Sequence, residues 1–321
     1  MLNFVCMNIL SILLTVAGLC LFETISSIDN AIINAEVLHT MSEKAKKWFL
    51  FWGIIFAVVM VRGLLPWIIV WFATPGLGPI EAFTATFSGD PHVLEAVEKS
   101  APILLAGGGT FLIFLFFHWL FLEDKHFGLP HEKFFLRNGI WFYSVVSIFL
   151  AVLVWYMMKI NPVMAFGAVI GSTAFFITHG FKQNAEKAEE MLMHAGKSGS
   201  SGMSDLSKIM FLEVIDATFS IDGVLGAFAF TLSVPLILLG NGLGAIVVRQ
   251  FTIGNIDRIK KYIFLKNGAM YSILVLGGVM IVDSFGIHVP TWFSPAVTFI
   301  IVGFFFAKSK QAAKLVKQIV E

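Results

Sequence analysis

Long apolar stretches separated by short polar intervals run along most of the chain. An α-helix needs about 20 apolar residues to cross the hydrocarbon core of a bilayer, and most of the stretches reach that length. An unbroken apolar run of this kind predicts a helix whose backbone hydrogen bonds are all internal. The pattern therefore predicts an all-α polytopic membrane protein. Nine candidate spans follow from it: 7–37, 48–72, 101–122, 139–158, 162–180, 209–232, 235–253, 267–287 and 291–307.

The polar intervals alternate in charge. The intervals after the first, third, fifth and seventh predicted spans, and the tail, carry lysine or arginine, whereas the others carry almost none. Because basic residues concentrate in cytoplasmic loops, this alternation predicts an N-terminus outside the cell and a C-terminus in the cytoplasm. We expect a first membrane half at 1–180, a cytoplasmic linker at 181–208 and a second membrane half at 209–321.

The composition agrees with this class of protein. Hydrophobic residues make up 57% of the chain and charged residues 13%, whereas a soluble domain carries about 25% charged residues. The net charge of +1 says nothing about nucleic-acid or acidic partners, and we expect no nucleic acid as a partner of a membrane protein. The two cysteines, Cys6 and Cys20, both lie in the first apolar stretch and predict no disulfide framework.

A short acidic pattern occurs twice within the predicted spans. Its first copy runs from Glu23 to Asn30 and its second from Asp216 to Gly223, and each contains Ser-Ile-Asp near its end. In both copies one carboxylate lies six residues before another, and Glu213 adds a fifth acid. A charged side chain at the centre of a membrane helix costs about 2.5–3.5 kcal/mol on insertion scales. The acids therefore indicate a functional site.

Each acidic span is followed by a span with a single arginine, which is Arg62 in the first half and Arg249 in the second. Gly53 precedes the first arginine by nine residues, and Gly240 precedes the second by nine. Under the predicted orientation the two acidic spans run in opposite directions. Such a pattern predicts an inverted-topology repeat, with a binding site near the bilayer midplane between the halves.

The spacing of the acids leaves their geometry open. Six residues turn a regular helix by about 240° and advance it by about 9 Å, so Glu23 and Asp29 converge only if the helix unwinds between them. Ser26 and Ser27 in the first copy, and Ser220 with Gly223 and Gly226 at the second, could allow such unwinding. Glu213, Asp216 and Ser220 follow i, i+3, i+7 spacing and share one face even of a regular helix.

The predicted metal ligands are all oxygen donors: Glu23, Asp29, Asn30, Glu213, Asp216, Asp222, Ser27 and Ser220. Such sites suit Mg²⁺, Ca²⁺ or Mn²⁺ better than Cu⁺ or Zn²⁺. Arg62 and Arg249 would balance part of the acidic charge, and a divalent cation with a proton would balance the rest. Asp283, near the outer end of the eighth predicted span, either joins the cation path or faces water.

Two other interpretations of the acids stay open. They could form structural ion pairs with the arginines, or they could relay protons alone. A further group of histidines and acids lies at the predicted cytoplasmic face, where it would either gather metal or belong to a solvated loop. This group consists of His118, Glu123, Asp124, His126, His131 and Glu132.

At its two acidic motifs the sequence resembles a divergent branch of the TerC/Alx family of integral membrane proteins. The likeness lies in Glu23…Ser27-Ile28-Asp29-Asn30 and in Glu213-Val214-Ile215-Asp216…Ser220-Ile221-Asp222. The resemblance implies a fold of the LysE-exporter type, with two inverted three-helix repeats and extra spans. It also implies manganese export, with those acids as ligands.

These expectations predict a multi-pass secondary transporter in the cell membrane, the inner membrane in a bacterium, that exports a divalent cation, with Mn²⁺ as the metal and protons in exchange. The partners would be the lipid bilayer and the cation, which is the bound substrate; we expect no prosthetic group and no enzymatic activity. One alternative is a membrane-embedded metal-dependent enzyme, although the chain has no His-Glu-x-x-His and no glycine-rich phosphate loop. Another is an accessory factor in membrane-protein assembly or in metal stress such as tellurium resistance, with the 182–206 insert as its contact surface.

Overall fold

The computed structural model describes residues 9–74, 76–84, 91–197, 204–254 and 261–320, and within these ranges it contains helices and no β-strand. The helices in the first half are α1 (Ile9–Ser26), α2 (Ile28–His39), α3 (Glu43–Trp48), α4 (Ile54–Phe56), α5 (Leu65–Ala73), α6 (Pro79–Thr84), α7 (Pro91–Leu122), α8 (Pro130–Arg137), α9 (Phe142–Met158) and α10 (Pro162–Lys197). Those in the second half are α11 (Asp205–Ala227), α12 (Val234–Gly254), α13 (Leu265–Ser284) and α14 (Phe293–Val320). Phe49–Gly53 and Ala57–Leu64 are π-helical, and Gly139–Trp141 is a 3₁₀ turn.

Seven segments of the described chain are long and apolar enough to cross a membrane, so the protein is an all-α, multi-pass membrane protein. They are Ile9–Ser26, Glu43–Phe72, Lys99–Leu122, Gly139–Met158, Pro162–Asn184, Leu265–Ser284 and Phe293–Lys314. Each overlaps one of the nine predicted spans. The other two predicted spans correspond to α11, which carries the second acidic motif, and to α12, whose residues Val234–Gln250 form a shorter apolar helix.

The long helix α7 packs against both α10 and α13. Glycines allow the helix backbones to touch at both contacts. A Cβ on Gly171 of α10 would lie 2.0 Å from the carbonyl oxygen of Gly107, and one on Gly277 of α13 would lie 3.2 Å from that of Gly109. Small residues at helix contacts permit this close packing in membranes. The resulting core includes the fully buried Trp119.

A second group of helices surrounds the acidic motifs. α1 packs against α12, and α2 contacts both α11 and α12. The π-helical segment Ala57–Leu64 also contacts α11 and α12. Segments from both halves of the sequence therefore enclose one region of the bundle.

The distribution of polarity is that of a membrane protein. Large apolar side chains such as Ile140, Phe166 and Ile300 are 62% or more exposed, whereas Glu23 and Asn241 are fully buried. An apolar exterior suits lipid, and charged groups inside a membrane bundle face its interior. The functional residues of the protein are therefore expected inside the bundle.

Candidate cation site

The two acidic motifs meet at Arg62, which lies in the π-helical segment Ala57–Leu64. Arg62 is 1% exposed, and Glu23 of α1 is fully buried. Arg62 Nη2 lies 2.5 Å from Glu23 Oε1, and Arg62 Nε donates to the same oxygen at 3.0 Å. Arg62 Nη1 lies 3.5 Å from Asp216 Oδ2 on α11. One guanidinium group thus joins a carboxylate from each motif.

Polar side chains of the first motif complete this arrangement. Ser27 Oγ donates a hydrogen bond to Glu23 Oε1 at 2.8 Å. Asn30 Nδ2 donates to Asp216 Oδ1, so α2 and α11 are joined directly through their motif residues. We call Glu23, Ser27, Asn30, Arg62 and Asp216 the Arg62 network.

A kink at one residue shapes the first motif. Ser27 has φ −92° and ψ 7° and separates α1 from α2. The interruption is short, because the Ser27 N–H still donates to the Glu23 carbonyl at 3.1 Å and the Ala31 N–H to the Ser27 carbonyl at 2.9 Å. The unwinding considered from the sequence is therefore a kink in the first motif. It is absent from the second motif, because α11 is continuous from Asp205 to Ala227.

Two features bring helix backbones close to Glu23. A Cβ on Gly223 of α11 would lie 2.6 Å from Glu23 Oε2, and one on Gly244 of α12 would lie 2.6 Å from Glu23 Cβ. The π-helical turns that carry Arg62 are wider than α-helical turns, and π-helical turns concentrate at functional sites. Glu23 is therefore in close contact with α11, α12 and the π-helical segment that carries Arg62.

Glu213 and Arg249 form a second, looser acid–base arrangement. Both face Gly53, where an added Cβ would lie 2.3 Å from Glu213 Oε1 and 2.9 Å from Arg249 Nη2. The guanidinium carbon of Arg249 lies 4.1 Å from the centroid of the Phe49 ring. Arg249 Nη1 and both carboxylate oxygens of Glu213 make no hydrogen bond within the described part of the chain.

Several buried oxygen atoms on these helices also lack hydrogen-bond partners among the described residues. They are Glu23 Oε2, Asn30 Oδ1, Asn34 Oδ1, Glu213 Oε1 and Oε2, Ser220 Oγ and Asn241 Oδ1. Each unsatisfied buried group costs about 1–3 kcal/mol, and more when it is charged. Such a concentration of unpaired oxygen is expected where ordered water or a bound cation supplies the missing partners.

A cavity of about 300 Å³, part of it open to solvent, adjoins the Arg62 network. It is lined by Asn34, Arg62, Asp216, Ala245, Val248, Arg249 and Thr252. Both intramembrane arginines therefore line the same space, together with one carboxylate of the second motif.

The acids do not form a ready-made metal centre. Within the described ranges, no group of three or more His, Cys, Asp or Glu side chains is placed so that it could hold a metal ion. Arg62 instead supplies the positive charge between Glu23 and Asp216. A cation that used these two carboxylates would have to take the place of the guanidinium group.

One protein family matches most of the chain. The model of a family described as "Protein of unknown function (DUF475)" matches residues 28–315. The chain belongs to the DUF475 family. No curated protein and no solved structure matches it. The matched region begins after Glu23 and Ser27 and contains the rest of the Arg62 network.

Other predicted ligands of this DUF475 protein lie outside the Arg62 network. Ser220 is 2% exposed on the same face of α11 as Glu213 and Asp216, as their spacing predicted. Asp222 lines different cavities, since six residues along a continuous helix turn it about 240° away from Asp216. The side chain of Asp29 lies outside the described residues.

The candidate path residue Asp283 has a local partner. Its Oδ1 accepts a hydrogen bond from the Val289 N–H at 2.7 Å, which closes the turn after α13 of the DUF475 chain. Asp283 lines neither the cavity beside Arg62 nor the two cavities that Asp222 lines. Its predicted role on a cation path stays a prediction.

The cavities that Asp222 lines contain a second charged cluster. Glu123 Oε2 lies 2.8 Å from Lys266 Nζ, and Glu123 Oε1 lies 3.5 Å from His118 Nδ1. Burial would raise the pKa of Glu123, but His118, Lys266 and Lys182 outweigh it and hold this pKa well below its usual range. Glu123 is therefore ionised at neutral pH.

Two buried amides of this DUF475 protein were not among the predicted site residues. Asn34 lines the cavity beside Arg62, and Asn241 is fully buried in α12. Asn34 follows Asn30 by four residues, so helical spacing could have placed both amides on one face. Asn241 is an amide within an apolar span, which is itself a signal of buried polar chemistry.

Proposed function

We propose that the protein is a secondary transporter that moves a divalent cation across the membrane through the Arg62 network. The observation that carries this proposal is the fully buried Glu23, joined through one arginine to Asp216 of the other motif. Ionisable groups inside membrane bundles usually mark ion or proton paths. The cation is the substrate, and we expect neither catalysis nor a prosthetic group.

Arg62 would act as a tethered cation that holds the acids together between transport steps. A divalent cation brings two positive charges to the space between Glu23 and Asp216, and the guanidinium group then withdraws. Glu23 Oε2, Asn30 Oδ1 and Ser220 Oγ have no hydrogen-bond partner among the described residues and are candidates to complete the coordination shell. Carboxylate, amide and hydroxyl oxygens suit hard divalent cations.

The second arginine supports an exchange of partners. Arg249 lines the same cavity as Arg62 and Asp216, and it makes no ion pair within the described residues. It lies near Glu213, whose two oxygens are both without hydrogen-bond partners there. When a cation displaces Arg62, two positive charges replace one beside Glu23 and Asp216, and Arg249 is close enough to Glu213 to pair with that remaining acid.

Manganese as the metal and export as the direction rest on the resemblance to the TerC/Alx family. Exchange for protons would compensate the charge carried by each cation. The oxygen donors are compatible with Mn²⁺ but equally with Mg²⁺ or Ca²⁺. The transport experiment therefore includes all three metals.

We further propose that α11 and α12 also cross the membrane, which gives nine spans with the N-terminus outside and the C-terminus in the cytoplasm. The host membrane would be the cell membrane, which is the inner membrane in a bacterium. Under this topology 1–180 and 209–321 form an inverted repeat around the linker 181–208. Arg62 and Arg249 are the matching arginines of the two halves, and both line one cavity, which supports the proposed inverted repeat.

The test is metal flux in liposomes that contain the purified protein. We expect uptake of Mn²⁺ by the parent to exceed that by empty liposomes and to depend on an imposed pH gradient. Glu23→Gln and Asp216→Asn should lose most of this flux, because each removes a charge that the cation needs. The exposed Asp124 offers a matched control, and Asp124→Asn should transport like the parent.

Each variant must elute as a single species on size exclusion before its flux is compared, and Glu23→Asp, which keeps the charge, should keep part of the flux. Parental flux in both Glu23→Gln and Asp216→Asn would show that the Arg62 network is structural only. Equal flux of Mg²⁺ and Mn²⁺ would leave the transporter assignment standing and remove manganese as its specific metal.

A further inference from the structure

A second polar cavity lies between α7, α10 and α11 and shares no lining residue with the cavity beside Arg62. Its space of about 310 Å³ is in part open to solvent. Its polar lining consists of His118, Glu123, Thr178, His179, Lys182 and Asp222. An adjoining space of about 500 Å³, also in part open to solvent, shares Glu123, Lys182 and Asp222 and adds Ser26 and Lys266.

His118 places a poorly satisfied ring nitrogen at this cavity. Its side chain is buried, with the residue 8% exposed, and its Nδ1 makes no hydrogen bond to any described residue. The nearest acid is Glu123, whose Oε1 lies 3.5 Å from that nitrogen. A contact of 3.5 Å is long for a hydrogen bond, so a cation that binds this nitrogen and Glu123 together would satisfy both groups better.

A second histidine stands beside the first. The ring centroids of His118 and His179 lie 3.9 Å apart. Phe175 orients both rings, since its plane is within 4° of that of His179 at 5.8 Å and its centroid lies 6.0 Å from that of His118. Two imidazoles held by an apolar wall next to two carboxylates make a nitrogen–oxygen donor set, unlike the all-oxygen set of the Arg62 network.

The carboxylates of this cavity are balanced by lysines. Glu123 Oε2 lies 2.8 Å from Lys266 Nζ, and Lys182 lines the same space. The four donors do not yet surround one point, which agrees with the absence of a metal-holding group among the described residues. Because lysine carries its charge on a flexible stem, a cation can take the place of Lys266 as it would that of Arg62.

We propose that this cavity is a second cation site, which binds a first-row transition-metal dication through His118, His179, Glu123 and Asp222. Imidazole nitrogen combined with carboxylate oxygen favours Mn²⁺, Fe²⁺, Co²⁺ or Zn²⁺ over Mg²⁺ and Ca²⁺. The site would therefore discriminate between metals, which the oxygen donors of the Arg62 network do poorly.

The position of the second site suggests how it serves the first. Asp222 directly precedes Gly223, whose added Cβ would lie 2.6 Å from Glu23 Oε2, and Ser26 of the adjoining cavity directly precedes Ser27 of the Arg62 network. A cation would thus bind at the second site, which selects the metal, close to the Arg62 network that transports it. This role rests on the proposed function, whereas metal binding itself does not.

The test is nitrogen hyperfine coupling in the electron spin resonance of Mn²⁺ bound to the purified full chain, prepared without a histidine tag. We expect coupling to imidazole nitrogen in the parent. It should be lost in His118→Gln/His179→Gln and kept in His126→Gln, an exposed histidine that serves as control. Zn²⁺ should displace the coupled Mn²⁺, whereas Mg²⁺ in large excess should not.

Two outcomes would overturn the proposal: a parent spectrum without nitrogen coupling, or a double variant that retains it. The single variants His118→Gln and His179→Gln, each expected to weaken Mn²⁺ binding, serve if the double variant does not fold. Glu23→Gln and Asp216→Asn should keep the nitrogen coupling, so loss of flux in these variants tests the transport site alone. Nitrogen coupling without any flux in the parent would sustain the second site and refute the transporter.

Discussion

The first and second acidic motifs resemble each other in sequence but differ in how their charges are satisfied. Glu23 of the first motif has three donors on one oxygen, from Arg62 and Ser27. Glu213, which opens the second motif region, has no hydrogen bond on either oxygen within the described residues, although Arg249 is near. One arginine is thus fully engaged, and the other rests on the Phe49 ring.

A repeated motif therefore need not give two equal half-sites. Arg62 reaches carboxylates of both motifs because it lies on a π-helical segment that contacts α11 and α12. Arg249 lies on the regular helix α12 and contributes a weaker cation–π contact. The asymmetry is compatible with the proposed exchange of partners between the two arginines.

Loss of stability should differ most between variants that remove Arg62 and variants that remove Arg249. Arg62→Met should lower the free energy of unfolding by about 3–5 kcal/mol, because it leaves Glu23 and Asp216 as buried charges without their counter-ion. Arg249→Met should cost only about 0.5–2 kcal/mol, the range of a cation–π contact. The measurement is reversible unfolding in mixed micelles with increasing denaturing detergent.

A compensated variant provides the control for this comparison. Arg62→Met combined with Glu23→Gln removes both members of the shortest ion pair and should recover part of the lost stability. If Arg62→Met and Arg249→Met were equally destabilising, the distinction between an engaged and a spare arginine would be wrong.

A smaller effect is expected at the glycine between Glu213 and Arg249. In Gly53→Ala the new methyl group would lie 2.3 Å from Glu213 Oε1 and 2.9 Å from Arg249 Nη2, so these side chains must move. Overpacking costs about 1–3 kcal/mol, and we expect the low end, about 1 kcal/mol, because the two closest atoms are the ends of flexible side chains. Thermal unfolding of the variant in detergent should therefore occur at a lower temperature than that of the parent.

Gly278→Ala is the matched control, because an added Cβ there meets nothing within 4 Å. This residue lies within α13, where alanine is favoured over glycine by up to about 1 kcal/mol. The control should unfold at the same or a higher temperature than the parent. Unchanged stability in Gly53→Ala would mean that Glu213 and Arg249 have more freedom than their positions indicate.

Hydropathy alone was sufficient to predict the class of fold. The apolar runs around α7, α9, α10, α13 and α14 coincide with long helices, because length and apolarity are local properties of the sequence. The face shared by Glu213, Asp216 and Ser220 was also predictable, since α11 is a regular helix and all three residues are buried. Local rules suffice where the backbone is regular.

The grouping of the acids could not be predicted in the same way. Whether Asp222 joins Asp216 depended on unwinding of α11, and the continuous helix turns Asp222 toward Glu123 and His118 instead. The role of Arg62 depended on a π-helical segment, which no hydropathy pattern indicates. Both outcomes are set by packing between segments that are far apart in the sequence.

The smallest expected effect compares the serines of the two motifs. Ser27 Oγ donates to Glu23 Oε1 at 2.8 Å, whereas Ser220 Oγ is buried without a partner among the described residues. Ser27→Ala should cost about 1 kcal/mol, the net value of one hydrogen bond, because the Arg62 donors remain on the same oxygen. Ser220→Ala should be neutral or slightly stabilising, because it removes a buried hydroxyl that has no partner there.

Unfolding in mixed micelles can resolve this difference when both variants are measured beside the parent. Metal sharpens the comparison, because Mn²⁺ should stabilise the parent and bind less well to Ser220→Ala if this hydroxyl is a ligand. A Ser220→Ala variant that loses stability without metal would show that its hydroxyl already has a partner. In that case the second motif would be as well satisfied as the first, and the asymmetry between them would lie in the arginines alone.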